Sequence, residues 1–249
     1  TTKKRFIATL KEYRNLCNQK TQDEVVLWFD HDLFCQINMI AVLSWFRNHK
    51  KNIQISLVSG LNNDNSGDWH SLSELSPEAL LYHYENRIHL TEDDVDYADY
   101  IWQLYCGGNP IRLETFSKFN SSQFHYLPDA IKAHILRFPT VKNGLNKIEN
   151  DILATAADCK PESREALVKQ MLQKEKIYGF TDLQYTKIIE RLKSLFQSLD
   201  PVKLNETGEA LLHNAKNYYS FMKNDDEYMG GSRKYSFLYH SPSGKLLKL

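Results

Sequence analysis

The sequence lacks any apolar stretch long enough to span a membrane, so no membrane role is expected of its 249 residues. It lacks paired cysteines. Cys17, Cys35, Cys106 and Cys159 are scattered without a CxxC pair, which speaks against a zinc knuckle and gives no disulfide framework. A reducing cytoplasm is the expected location. The chain also lacks an excess of either charge, since 31 Lys and Arg balance 31 Asp and Glu. Residues 1–139 carry 14 basic and 17 acidic side chains, and residues 140–249 carry 17 and 14. That asymmetry permits nucleic acid as a partner of the second half but falls short of the basic footprint of a dedicated binder. P-loop, GxGxxG, HExxH and GxSxG patterns are all missing. No phosphate cradle, dinucleotide fingerprint, zinc-protease helix or nucleophile elbow can therefore be read, and no cofactor or metal is assigned.

What is present is enough apolar material for a core. Hydrophobic residues make up 42% and aromatics 12%, which excludes disorder as the main state. The length suits one large domain or two small ones. A break near residues 139–144 divides the chain into 1–140 and 141–249. The segment LNNDNSGD at 61–68 is the clearest loop.

The first part reads as α/β. Val25 to Phe29 (VVLWF) is a short continuous apolar run between charges, the pattern of a strand buried on both faces of a parallel sheet. Asp30-His31-Asp32 follows at once. Residues 33–46 then read as a helix that is apolar nearly all round, with Asp32 as its N-cap. Residues 53–58 form the next strand and end at Ser59-Gly60, completing a βαβ unit. Helices are expected over 72–84, with Ser76-Pro77-Glu78 as an internal start, over 91–105, and over 127–138.

The second part reads as a winged helix. Asn146 with Glu149 opens one helix through about residue 157. Residues 163–174 form a second, and Thr181-x-x-Gln184 caps a third through about residue 197. Residues 234–249 look like a hairpin, with Tyr235, Phe237 and Tyr239 alternating before Ser241-Pro242-Ser243-Gly244. Gln184, Lys187 and Arg191 share the polar face of the third helix. They can meet a DNA major groove or form an ordinary solvated face.

Four segments, in order, resemble a bacterial family of uncharacterised proteins, domain of unknown function 1835. VVLWFDHDLFCQINMIAVLSWF is similar to its W-x-[ED]-H-D-x-[YF]-D-Q signature and the following helix. LPDAIKAHILRFPTVKNGLNKIENDIL looks like its L-P-x-L-x-x-A-L-x-R-H-L segment and the capped helix after it. GFTDLQY, and LNETGEALLHN with MGGSRKY, take the places of two later elements. Cys35 departs from the usual acidic residue. The resemblance implies the same two-part architecture and a further N-terminal strand segment ahead of Thr1; it implies no established activity.

Candidate chemistry centres on the end of the first strand. In open α/β sheets, ligands bind beyond the carboxyl ends of the strands. Asp30, His31 and Asp32 stand there, with Gln36 one turn into the helix and Gly60 after the second strand. Helix-start N–H groups at that point favour a small anionic ligand. The expected role is therefore a binding or regulatory protein with its ligand site at Asp30, His31, Asp32, Gln36 and Gly60. Two alternatives stand beside it: an enzyme using Asp30, His31 and Asp32 for acid–base or metal-assisted chemistry, and DNA binding by the helical part. The bland reading is that both carboxylates cap or pair and His31 is a satisfied polar residue. His134 and Arg137, one turn apart, either face the same cleft or make a structural contact.

Overall fold

An apolar pentapeptide between Glu24 and Asp30 has no helical period, and it becomes β1 (Glu24–Phe29). The computed structural model describes residues 2–18, 22–49, 53–59, 71–118 and 123–249. Gly60 and the expected 61–68 loop lie outside the described residues. Ahead of β1 lies α1 (Thr2–Asn18), and after it come α2 (Leu33–His49) and β2 (Gln54–Ser59). β1 and β2 pair in parallel, Glu24 opposite Gln54 through Phe29 opposite Ser59, which is the expected βαβ unit.

The sheet departs from the expected Rossmann-like form in two ways. Its third strand, β3 (Ile88–His89), runs antiparallel to β2, and the order β1-β2-β3 leaves β1 at an edge. An edge strand cannot be sealed on all sides. The residues of β1 are accordingly half-buried, and Trp28 is 37% exposed. Among the described residues the fold is thus mixed α/β with small sheets, with one parallel strand pair rather than an extended parallel sheet.

Helix starts follow the capping chemistry. α3 (Pro77–Glu85) begins at Ser76, whose hydroxyl accepts from Ala79 N at 3.2 Å. α4 (Glu92–Cys106) has a full capping box: Asp94 N donates to Thr91 Oγ1, and Thr91 N donates to Asp94 Oδ2 at 2.9 Å. Then come α5 (Pro110–Glu114), α6 (Leu127–Ile135), α7 (Lys147–Cys159), α8 (Arg164–Lys174) and α9 (Asp182–Arg191). α7 is boxed by Asn146 and Glu149, with Glu149 N to Asn146 Oδ1 at 2.9 Å. α9 stops at Arg191, short of the expected residue 197. Phe196 and Leu204 are buried across from each other in a hairpin of β4 (Phe196–Leu199) and β5 (Val202–Leu204), and that pairing draws the chain out of the helix. Three helices followed by a two-stranded hairpin stand in this half. The chain continues through α10 (Glu206–Leu212), α11 (Tyr219–Met222), β6 (Tyr228–Met229), β7 (Ser232–Arg233), β8 (Phe237–His240) and β9 (Lys245–Lys248).

Two apolar cores share α6, and α2 also reaches both, with Leu33 in one and Met39, Ile40 and Leu43 in the other. Leu127, Ile131 and Ile135 of α6 lie on one face, with Met39, Ile40, Leu43, Leu57 and Ile101. Ala130 and Ala133 of the same helix face the other core, with Ile148, Ile152, Leu167, Tyr185 and Ile189. α6 is therefore a joint between the α/β half and the helical half. The β8–β9 hairpin, expected to belong to the helical part, sends Phe237 and Leu246 into the first core. Leu246 N donates to the buried Glu114 carboxylate at 2.7 Å, and Tyr239 N donates to Pro139 O at 2.7 Å. Among the described residues no helix is long and apolar enough to cross a membrane.

Candidate functional site

The turn from β1 into α2 is built by its own carboxylates. Asp32 Oδ1 accepts from Cys35 N at 2.9 Å, and Asp32 O accepts from Gln36 N at 2.9 Å, so Asp32 is the N-cap of α2. Asp30 caps a different segment. Its Oδ1 accepts from Leu72 N at 3.0 Å and its Oδ2 from Ser71 Oγ at 2.9 Å, fixing the single 3₁₀ turn Leu72–Glu74 against the strand end. The Asp30 carbonyl accepts from Gln36 Nε2 at 2.7 Å. Across the turn lies Gly179, in the left-handed region with φ +63°. A Cβ there would fall 2.1 Å from Asp32 Oδ1, so only glycine lets the helical half approach this carboxylate.

Donor atoms of Asp30, Asp32 and Cys35 lie within 4.8 Å of one another. By ligand type that set can take a divalent cation. The surroundings suit capping better. Each carboxylate already accepts backbone N–H groups, and the positive end of α2 opposes a cation. Burial and the Asp32 carboxylate push the Cys35 thiol up to about 12, so it stays protonated.

His31 is the member of the triplet that lines both cavities beside this turn. It is half-buried, with its ring edge toward Tyr126 at a centroid distance of 6.2 Å. Burial lowers its pKa, against the pull of the Asp30 and Asp32 carboxylates. Two cavities reach it. The larger, about 440 Å³, lies between α6 and the segment that follows α8. Its walls include Tyr126, Lys132, Leu136, Lys174, Ile177 and Tyr178. The smaller, about 200 Å³, is bounded by Asp30, Asp32, Ser71, Glu74, Gly179 and Phe180. His31, Glu175 and Lys176 belong to the walls of both.

Glu175 has its own neighbourhood. Burial and the adjacent Asp151 carboxylate raise its pKa, while Lys147 lies 3.7 Å from its Oε1 and pairs with Asp151. A carboxyl group so placed is held toward its neutral, proton-donating form.

The remaining expected site residues are placed elsewhere. Gln36 does not point into the mouth. It is 0% exposed, with its amide N–H on the Asp30 carbonyl and its Oε1 buried without a hydrogen-bond partner among the described residues. On α9, Gln184 Oε1 accepts from Thr181 N at 2.8 Å as part of the helix cap. Arg191 is tied to Glu227 at 2.6 Å and Asp225 at 3.1 Å. Of the three residues expected on a DNA-facing surface, only Lys187 has no ion pair or side-chain hydrogen bond among the described residues. The described contacts on this face give no specific support for a nucleic-acid partner. His134 is sealed in the core, 1% exposed, between Tyr105 and Phe138 at ring distances of 4.9 and 5.8 Å. Burial and the nearby Arg137 charge push its pKa down to about 3. Arg137 lies over the Phe180 ring at 5.6 Å.

Sequence reasoning missed Tyr126, Lys132, Glu175, Lys176 and Tyr178. The run Lys174-Glu175-Lys176 at the end of a helix was the available signal, but a charged helix end is ordinarily a solvated one. The chain has no match among protein-family models, curated proteins or solved structures.

Proposed function

We propose that this is a cytoplasmic small-ligand-binding protein whose site is the cleft between its α/β half and its helical half. One observation carries the reading. Two cavities, about 440 and 200 Å³, share His31, Glu175 and Lys176 in their walls just beyond the carboxyl end of β1. The larger falls in the usual size range of small-molecule sites. In this reading the βαβ unit acts as the Rossmann-like half and α7 through β5 as the winged-helix-like half. Asp30 and Asp32 hold the turn, and His31 meets the ligand.

A ligand-observed NMR screen of a general fragment library tests this. Leu136 is half-buried in the wall of the larger cavity, so Leu136→Trp fills that space. Hits should appear with the wild type and vanish with Leu136→Trp at unchanged Tm. The same hits persisting in the variant would move the site elsewhere.

A second reading, an enzyme, is favoured by one specific feature. His31 is shifted toward its neutral form and Glu175 toward its protonated form, which gives a base and an acid on the same walls. In that case His31→Ala and Glu175→Gln should each lower turnover of any substrate found by activity screening by about 100-fold or more. Equal activity in both variants removes the reading.

A further inference from the structure

The walls of the larger cavity carry two kinds of surface. One is apolar: Tyr126, Leu136 and Ile177 provide one aromatic ring and two aliphatic side chains, backed by the buried Tyr178. The other is cationic. Lys147 is already neutralised by Asp151, and Glu175 is drawn toward its neutral form by burial and by that same Asp151. Lys132, Lys174 and Lys176 are different. Each has an exposed side chain, each lines the cavity, and none has a carboxylate within ion-pairing distance among the described residues. The carboxylates in the wall are Asp129 and Glu175. Three lysines without an ion pair outnumber these two carboxylates and leave the wall net positive.

Unpaired lysines are ordinary on a solvated surface. Here three of them, from two segments far apart in sequence, rim one concave apolar space. α6 supplies Lys132, and the end of α8 with the turn after it supplies Lys174 and Lys176. Lysine stems can lie along apolar wall while the ammonium groups reach an anion at the rim. A bare inorganic anion would leave the aromatic floor unused, and a neutral aromatic would leave the charge unanswered.

Resting on the small-ligand reading above, we propose that the larger cavity binds an organic anion with a flat apolar body: an aromatic carboxylate, sulfonate or phosphate ester. The body lies against Tyr126, Leu136 and Ile177, and the anionic group lies among Lys132, Lys174 and Lys176. The sequence also suggested an anion, but on the free N–H groups at the start of α2. Asp32 Oδ1 already accepts from one of those groups, Cys35 N, and the charge that selects the ligand comes instead from lysines of α6 and of the segment at the end of α8.

The test uses three probes on the full chain: 8-anilinonaphthalene-1-sulfonate, its neutral analogue N-phenyl-1-naphthylamine, and inorganic phosphate. Fluorescence titration should give saturable single-site binding of the sulfonate. The neutral analogue should bind at least ten times more weakly. Phosphate alone should compete only at far higher concentration. Lys132→Gln with Lys176→Gln should weaken the sulfonate about ten-fold, roughly 1.4 kcal/mol, and remove most of its salt dependence. Both lysines are exposed, so Tm should not change.

Each contrary result cuts at a different place. If the neutral probe binds as tightly as the sulfonate and the lysine variant changes nothing, the anion assignment falls. The ligand cleft itself survives that result if Leu136→Trp still blocks binding. If phosphate competes as strongly as the sulfonate, the apolar body is not recognised. If no probe binds, or if Leu136→Trp leaves binding intact, this proposal falls. In the last case the cleft reading falls with it.

Discussion

Lys234 and the cleft lysines have the same functional group and opposite circumstances. Lys234 is 1% exposed, with its ammonium 3.2 Å from Glu149 and 3.0 Å from Glu227. Burial works against its charge, yet Glu149, Tyr235 and Glu227 raise its pKa. Lys132, Lys174 and Lys176 are exposed, rim an apolar cavity and lack such partners among the described residues. The first arrangement holds α7 to the chain before β8; the second leaves charge available for something from outside. In the acidic triplet, Asp30 and Asp32 are engaged by the backbone, and His31 lines both cavities. What distinguishes a site residue here is an unanswered charge beside a cavity, not charge density.

The comparison can be broken most sharply at Lys234. Lys234→Met should destabilise the protein by about 3–5 kcal/mol, because Glu149 is left buried without its cation. Urea unfolding measures it. A loss under 1 kcal/mol would mean that Lys234 is no more structural than the cleft lysines. Gly179→Ala comes next. The new Cβ would press on the Asp32 carboxylate in a left-handed conformation, which should cost about 2–3 kcal/mol by the same measurement. A neutral effect would show that the contact between the two halves at this turn is loose.

Much of this was legible beforehand, and for local reasons. Ser76-Pro77, Thr91 with Asp94, Asn146 with Glu149 and Thr181 with Gln184 each announce a helix start through a bond between near neighbours in sequence. Asp32 as a cap follows the same rule. The partners of Asp30 could not be read, since Ser71 and Leu72 lie about forty residues away and Gly179 meets Asp32 from the other half. β3 is two residues long, too short to carry any period, and its antiparallel direction decides how far the Rossmann-like expectation extends. The tail hairpin was visible from Tyr235, Phe237 and Tyr239, but its docking on α5 depends on Glu114, a distant residue. The cleft arises where α6 meets the segment after α8, so none of its charge pattern is contiguous in the sequence.

A buried histidine extends the contrast to pH. His134, with a pKa of about 3 in the folded chain, is neutral in the core, whereas in the unfolded chain it titrates near 6.5. As pH falls below about 6.5 the unfolded state takes up the proton first. His134 should therefore lower stability by about 1.4 kcal/mol per pH unit until the pH approaches 3. Between pH 6.5 and 5 that amounts to about 2 kcal/mol, which urea unfolding of wild type against His134→Phe should isolate. Identical slopes in the two proteins would contradict a sealed, neutral ring. The smallest effect is expected at the cap: Asp32→Ala should cost about 1 kcal/mol and leave probe affinity within two-fold. A ten-fold loss of affinity would return Asp32 to the ligand site.

The central claim is that the lysine-rimmed cleft, rather than the acidic turn beside it, receives the ligand. Backbone amide NMR shifts on titration with 8-anilinonaphthalene-1-sulfonate test it most directly. The account predicts the largest changes at residues 132–137 and 174–178, with His31 at their edge and little movement at 71–74. Changes concentrated at 30–36 and 71–74, with the lysine segments unmoved, would contradict it.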